Sequence, residues 1–307
     1  MGRYIARRLF QLIPVFFGAT FLVFAMVYAI PGDPIQALAG DRQISPSTVQ
    51  ALREKYNLND PLPIQYAKYM GNLFQGDFGE SLRGRDVTEI IRQKFPVSLR
   101  LALLAFAFEA IIGMAAGLLA AIFHRSFLDM LVLVSTTAVI SIPVFVLGFM
   151  TQLILGVELD LLPIAGIQDG WRSYILPASV LAAVSLAYIA RLLRTSLIEN
   201  LRADYVRTAR AKGLPQGRVI GRHALRNSLI PVVTYLAVDL GGLMGGAIVT
   251  EGIFNLPGIG NEIFRAVQNQ DGNIVVGIVT ALIIIFLLMS LIADLLYAWL
   301  DPRIRYD

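Results

Sequence analysis

The sequence predicts an all-α polytopic membrane protein with six transmembrane helices, cytoplasmic N and C termini, and a small extracytoplasmic lobe between helices one and two. Three observations carry that prediction. Of 307 residues, 56% are hydrophobic and 16% charged, and the mean hydropathy is positive, far outside the range of a soluble domain. Six apolar runs approach or exceed the ~20 residues that cross a hydrocarbon core. Lys and Arg collect on alternate loops between those runs, as the positive-inside rule requires.

The first run, Leu9 to Ile30, carries no charge. Arg3, Arg7 and Arg8 precede it like the basic region of a signal peptide, but its length exceeds the ~7–15 residues of a cleaved apolar core, so it is expected to remain as an anchor. Leu101 to Phe123 follows, interrupted only by Glu109, and then Met130 to Leu155, in which Pro143 predicts a kink. The fourth run, Ile175 to Ala190, is short and borrows Leu192 and Leu193 to reach across. Ser228 to Val249 and Ile274 to Ala293 complete the set.

With the N terminus inside, the inner segments hold Arg3, Arg7, Arg8, Arg125, nine basic residues between Arg191 and Arg226, Arg303 and Arg305, against Arg172 and Arg265 in the short outer loops. That asymmetry fixes the orientation. The long segment 31–96 lies outside by parity, with helical stretches at Ser47 to Tyr56 and Pro63 to Phe74. Its eight basic and eight acidic residues suit a small folded lobe. No internal repeat or low-complexity tract is present, so the chain reads as a single membrane domain over 1–307, with the lobe at 31–96 and a cytoplasmic segment at 191–227.

That cytoplasmic segment contains Asp204-Tyr205-Val206-Arg207-Thr208-Ala209-Arg210-Ala211-Lys212-Gly213. Asp204 is placed to cap a helix, Tyr205 to Lys212 are acceptable helix formers, and Gly213 followed by Pro215 forces its end. Two turns are marginal alone in water, so packing must hold them, on this chain or in a pocket of another protein. Small residues at Ala203, Thr208, Ala209 and Ala211 permit close approach. Charge by itself is equally met by an ordinary positive-inside loop.

Catalytic chemistry is missing. A phosphate-cradling loop needs Gly-Lys-Ser/Thr, but Lys55, Lys68, Lys94 and Lys212 are followed by Tyr, Tyr, Phe and Gly, so any ATP belongs to another chain. Two His residues, His124 and His223, are too few and too distant in sequence for a metal site, and no Cys exists for a thiolate site or a disulfide. No Gly-x-Ser-x-Gly occurs. Topology accounts for the basic residues, leaving no argument for nucleic acid. Glu109, Asp239 and Asp294 lie in or near the membrane, where a carboxylate must face protein or water; Glu109 and Asp239 are open to a role in a substrate path or in interhelical contact, and Asp294 to a structural role at the interface. Gly241-Gly242-Leu243-Met244-Gly245-Gly246 allows close helix approach, within the chain, at a subunit interface or along a pore.

Several motifs in order resemble one family across nearly the whole chain: Arg7-Arg8; Pro31-Gly32-Asp33-Pro34; Gly76-Asp77-Phe78-Gly79 with Ser81; Asp204 to Gly213; Ala224-Leu225-Arg226-Asn227-Ser228 with Pro231; Thr250-Glu251-Gly252-Ile253-Phe254 with Pro257-Gly258-Ile259-Gly260; and Asp301-Pro302-Arg303-Ile304. Together they resemble the permease subunits of bacterial peptide-importing ABC transporters, most closely the B-type subunit of dipeptide and oligopeptide systems. In that family the element at Thr208-Ala209-Arg210-Ala211-Lys212-Gly213 is the EAA loop, which sits in a cleft of the ATPase subunit. Thr208 here replaces the usual Glu, and Arg226 rather than Pro follows Leu225, departures similar to the peptide branch.

The resemblance implies a multi-pass protein of the bacterial plasma membrane working by alternating access. It implies a second homologous permease, ATP-binding subunits that hold ATP and Mg, and an extracytoplasmic substrate-binding protein, for which the 31–96 lobe is the candidate contact, a plain cap on the pore being the lobe's alternative role. The coupling residues expected are Asp204, Tyr205, Arg207, Thr208, Ala209, Arg210, Ala211, Lys212 and Gly213, with no catalysis and no cofactor on this chain. The same architecture importing nickel, haem or another small solute is the alternative within transport. A stand-alone ion-coupled carrier is the alternative class, disfavoured by the lack of repeats and of an intramembrane Lys or Arg to pair with the acids. A membrane enzyme stands behind both for want of a catalytic set.

Overall fold

The computed structural model describes residues 2–29, Ile35 and residues 45–300. The Pro31 to Pro34 and Asp301 to Ile304 motifs, the start of the 31–96 lobe, and Arg303 and Arg305 lie outside the described residues.

Among the described residues the chain is helical, with an isolated bridge between Glu80 and Asp86. The elements are α1 (Gly2–Ala29), α2 (Pro46–Lys55), α3 (Leu62–Leu73), α4 (Val87–Phe108), α5 (Met114–Ile122), α6 (Phe127–Ser141), α7 (Val144–Thr151), α8 (Arg172–Arg202), α9 (Asp204–Ala211), α10 (Gln216–Arg218), α11 (Leu225–Ile253), α12 (Ile259–Gln268) and α13 (Gly272–Leu300). Wider π turns, Glu109–Gly113, Gln152–Glu158 and Val219–Ala224, join α4 to α5, extend α7, and join α10 to α11. Five stretches are long and apolar enough to span, Ala6–Tyr28, Val87–Ile122, Arg172–Arg202, Gln216–Gly245 and Gly272–Leu295, and α6 with the α7 segment makes a sixth if counted as one span.

Four boundaries differ from the sequence reading, the first being that of the second span, which starts at Val87 rather than Leu101 and so takes residues 87–96 out of the expected lobe. The third span is no kinked rod: Phe127–Ser141 and Val144–Glu158 meet at 106°, because Pro143 cannot donate to the ladder and holds the chain extended at the break. The fourth is not short. It runs unbroken for 31 residues from Arg172 to Arg202, so Arg191 to Arg202 of the expected cytoplasmic segment are the end of a helix. The fifth starts at Gln216 rather than Ser228, and Ser228, fully buried, returns its hydroxyl proton to the Ala224 carbonyl at 2.8 Å, which lets a polar residue sit inside the helix.

The described residues form two compact units. The first comprises Met1–Ser98 and Leu256–Leu288. In it the lobe helices fall within a residue of their expected positions, α2 starting where Ser45 accepts the Thr48 N–H. An aromatic cluster of Phe21, Phe24, Tyr28, Tyr66 and Tyr69 joins α1 to α3. Tyr28 donates to Asn273 Oδ1 at 2.7 Å, and Asn273 Nδ2 donates to the Glu80 carbonyl at 2.9 Å. Glu262 on α12 is buried and takes Arg85 at 2.9 Å and Lys94 at 3.2 Å. A cavity of about 160 Å³ opens among Tyr28, Lys55, Lys68, Tyr69 and Asn273, and burial pushes the Tyr69 hydroxyl up to about 12.

The second unit comprises Leu99–Asn255 and Met289–Asp307. Its centre is α8, which buries Leu176, Ile189, Leu193 and Leu197 completely or nearly so. Apolar packing of Ile189 and Leu193 with Val232 and Leu236 joins α8 to α11. Gly148 of α7 lies close beneath Ile253. The Phe254 carbonyl accepts the Gly166 N–H at 3.0 Å, and Gln152 Nε2 donates to the carbonyls of Ile164 and Ile253, so the Thr250 to Phe254 motif ties down the loop after α7.

Candidate coupling site

The short helix α9 forms where the cytoplasmic segment was expected to fold. Gly213 exits at φ +74°, a left-handed conformation that costs a side-chain-bearing residue ~1–2 kcal/mol, and Pro215 begins the next turn. The start differs from expectation. Ala203 occupies the cap position and no side chain caps the helix; Asp204 is the first helical residue, highly exposed, and its carboxylate accepts from Arg207 at 3.3 Å instead. An acid there still suits the positive end of the helix dipole, so the residue type was right and its register was off by one.

One face of α9 is held by the chain itself. Val206 is fully buried and Ala209 nearly so, three residues apart and hence on one side. They pack in a cluster with Leu197 of α8, Ala121 of α5, and Val219 and Ala224 of the π turn before α11. Tyr205 donates to Asn200 at the end of α8, and Thr208 donates to the Asp204 carbonyl at 2.9 Å. Tyr205, Arg207, Thr208, Arg210, Ala211, Lys212 and Gly213 are exposed. The expected coupling residues therefore separate into two roles: Ala209 faces the permease and seats the helix, while the exposed set offers a basic surface.

A network that the sequence reading missed lies one turn above this seat. Arg194 of α8 holds the Asp129 carboxylate of α6 with two nitrogens, Nη2 reaching Oδ2 at 2.8 Å. His124 Nδ1 is 3.1 Å from the same oxygen, and the Arg125 N–H donates to it at 2.8 Å. The Arg194 and Asp129 side chains are 16% and 4% exposed, so this is an inward-facing pair and not a surface one.

The membrane acids separate as well. Glu109 is fully buried and opens the π turn at Glu109–Gly113; it is an electrostatic neighbour of Asp239 on α11, and Tyr235 interacts with both. Neither Glu109 oxygen has a hydrogen-bond partner among the described residues. Tyr235 also donates to Ser185 at 3.4 Å. Two separately read acids are thus one polar cluster. Asp294 is half-buried near the end of α13. Of the glycine-rich stretch, Gly242 and Gly245 are exposed, and nothing stands within 4 Å of a Cβ placed on Gly245. Close helix approach occurs at Gly113 and Gly117, whose added Cβ atoms would stand 3.0 Å and 2.5 Å from the carbonyl oxygens of Leu186 and Ala190. No group of three potential metal ligands comes together among the described residues.

Residues 113–306 match the family described as "Binding-protein-dependent transport system inner membrane component", and residues 1–102 match its N-terminal membrane-component family. The dipeptide transport system permease protein DppB of Alkalihalophilus pseudofirmus is 39% identical over 334 residues, covering both chains completely. The di/tripeptide transport system permease protein DppB of Pseudomonas aeruginosa is 38% identical, and the glutathione transport system permease protein GsiC of Escherichia coli strain K12 is 38% identical, again over full lengths. The inward-facing MetNI methionine ABC transporter aligns with a TM-score of 0.57 at 16% identity, over 69% of this chain and 96% of that one, a likeness of fold. With both halves matched and full-length relatives near 40% identity, the chain belongs to the family of binding-protein-dependent transport system inner membrane components, as a multi-pass permease of the bacterial inner membrane.

Proposed function

We propose that this chain is one of two homologous permease subunits of an ATP-driven importer of dipeptides or oligopeptides. Separate ATPase subunits hold ATP and Mg and drive it through the basic face of α9. The observation that carries this reading is α9 itself: a two-turn helix seated on its own chain by Val206 and Ala209, with Tyr205, Arg207, Thr208, Arg210 and Lys212 turned outward. A partner gripping that face moves α8 and α5 through the shared seat. Membrane helices here hold no phosphate-binding motif, so hydrolysis falls to the partner. The peptide substrate follows from the full-length relatives, which are named as dipeptide, di/tripeptide and glutathione permeases. The outer lobe is the contact proposed for the binding protein, and Glu109 with Asp239 the polar cluster proposed for the translocation path.

Proteoliposomes test it. The permease pair with its ATPases and binding protein takes up labelled peptide only with ATP, and the isolated chain takes up nothing under a proton or sodium gradient. Gradient-driven uptake by the isolated chain overturns the reading.

A further inference from the structure

One ion pair links the sharply bent third span to α8, the helix on which the coupling helix is seated. Leu197, which seats α9, and Arg194 lie three residues apart on α8 and share a face. Arg194 grips Asp129 in the first turn of α6 through two nitrogens. The Asp129 carboxylate also closes the α5–α6 turn by accepting the Arg125 N–H, where Arg125 sits at φ +65°, with His124 against the same oxygen. Ala121, another part of the α9 seat, is three residues before His124. The end of α5, the start of α6 and the C-terminal third of α8 are thereby fixed together directly beside the α9 platform.

We propose that Arg194 and Asp129 are positioning residues for energy coupling: a strut that transmits displacement of α9 into α6, and so into the span broken at Pro143. This rests on the importer reading above. A buried ion pair is a poor stabiliser, since apolar residues of similar volume pack as well without the desolvation cost. Its distinct property is geometry. Two parallel N–H···O contacts prevent the helices from sliding or rotating against each other, which apolar packing does not.

The test uses the full complex in proteoliposomes and reads peptide imported per ATP hydrolysed. The Arg194→Met/Asp129→Leu double variant is expected to co-purify with its ATPases as wild type does and to hydrolyse ATP, while importing about tenfold less peptide per ATP. Arg194→Lys, which keeps the charge and loses the fork, should fall between the two. The reciprocal Arg194→Asp/Asp129→Arg variant should recover part of the ratio. A double variant that assembles and keeps the wild-type ratio overturns the strut. If that variant does not assemble, Arg194→Lys decides: an unchanged ratio overturns the proposal and a reduced one supports it. If the wild-type complex moves no peptide on ATP, the peptide substrate is wrong and the strut stays testable. The strut is then read on ATPase stimulation by the binding protein, which the variants should lose if it holds and keep if it does not.

Discussion

A Cβ placed on Gly117 of α5 would stand 2.5 Å from the carbonyl oxygen of Ala190 on α8 and 3.0 Å from Leu193 Cβ. One turn earlier Gly113 meets Leu186 and Ile189 in the same way. The two glycines form a small-xxx-small pair that lets α5 lie directly on the backbone of α8, and it is this contact that brings Ala121 and Leu197 together beneath the coupling helix.

Gly117→Ala should therefore destabilise the protein by about 1–3 kcal/mol through overpacking, with Gly117→Ile worse. Gly245→Ala is the internal control. It also lies in a helix, but its Cβ would meet nothing within 4 Å, so relief of the glycine helix penalty should leave stability unchanged or raise it by up to ~1 kcal/mol. Thermal unfolding in detergent separates the two; equal losses would show that α5 and α8 do not rely on this contact.

Opposite faces of α9 predict opposite mutant behaviour. Ala209→Glu puts an unpaired carboxylate into the cluster of Leu197, Val206 and Val219, at a cost of roughly 3–5 kcal/mol if it stays buried, so the short helix should undock and its flanking arginines become open to trypsin. Arg210→Glu changes only the exposed surface. It should leave trypsin protection intact and weaken ATPase association in a salt-dependent way. Protection of Ala209→Glu equal to wild type would mean that α9 is not seated as described.

Gly213 and Pro215 punctuate the chain, so the existence and exit of α9 could be read from sequence, as could the lobe helices and every apolar run. Which way α9 faces was present only as the three-residue spacing of Val206 and Ala209, a weak signal in an eight-residue helix, and the family resemblance set Ala209 beside Thr208 among the coupling residues without dividing them by face. The end of α8 was lost because charge was equated with loop, whereas Arg191 and Arg194 continue the helix and Arg194 finds an acid. No local pattern links Arg194 to Asp129, 65 residues away; only the fold does. Gly113 and Gly117 had a readable spacing, masked by the denser glycines at 241–246.

Glu262 should be the most sensitive charge in the first unit. Its side chain is 6% exposed and accepts both Arg85 and Lys94, whose side chains are 52% and 24% exposed. Losing either base leaves the other; losing both leaves a buried carboxylate alone, the costly direction of breaking such a site. Arg85→Met and Lys94→Met should each cost about 1 kcal/mol or less, and the double variant clearly more than their sum. Adding Glu262→Gln to the double variant should recover most of that loss. Additive single effects with no recovery would count against the shared role.

Asp271 supplies the pH dependence. It is buried at the start of α13, where Oδ1 accepts the Leu82 and Ile274 N–H groups, each at 3.4 Å. Burial raises its carboxyl above the ordinary carboxylate range, while those N–H groups and the Arg85 and Arg83 charges pull it partly back. A carboxyl raised in the folded state favours folding in its protonated form: its contribution is full below the unfolded value of about 3.9 and is lost as pH rises through the folded value. Asp271→Asn keeps an acceptor for both N–H groups and removes the titration. It should match or exceed wild type at neutral pH, and the wild-type minus variant difference should fall as pH rises above the unfolded value. Asp271→Ala removes the acceptor as well and should lose about 1 kcal/mol relative to Asn at every pH. Unfolding in detergent as a function of pH checks both arms, and a flat wild-type minus Asn difference would place the ionised carboxylate in water, contrary to its burial.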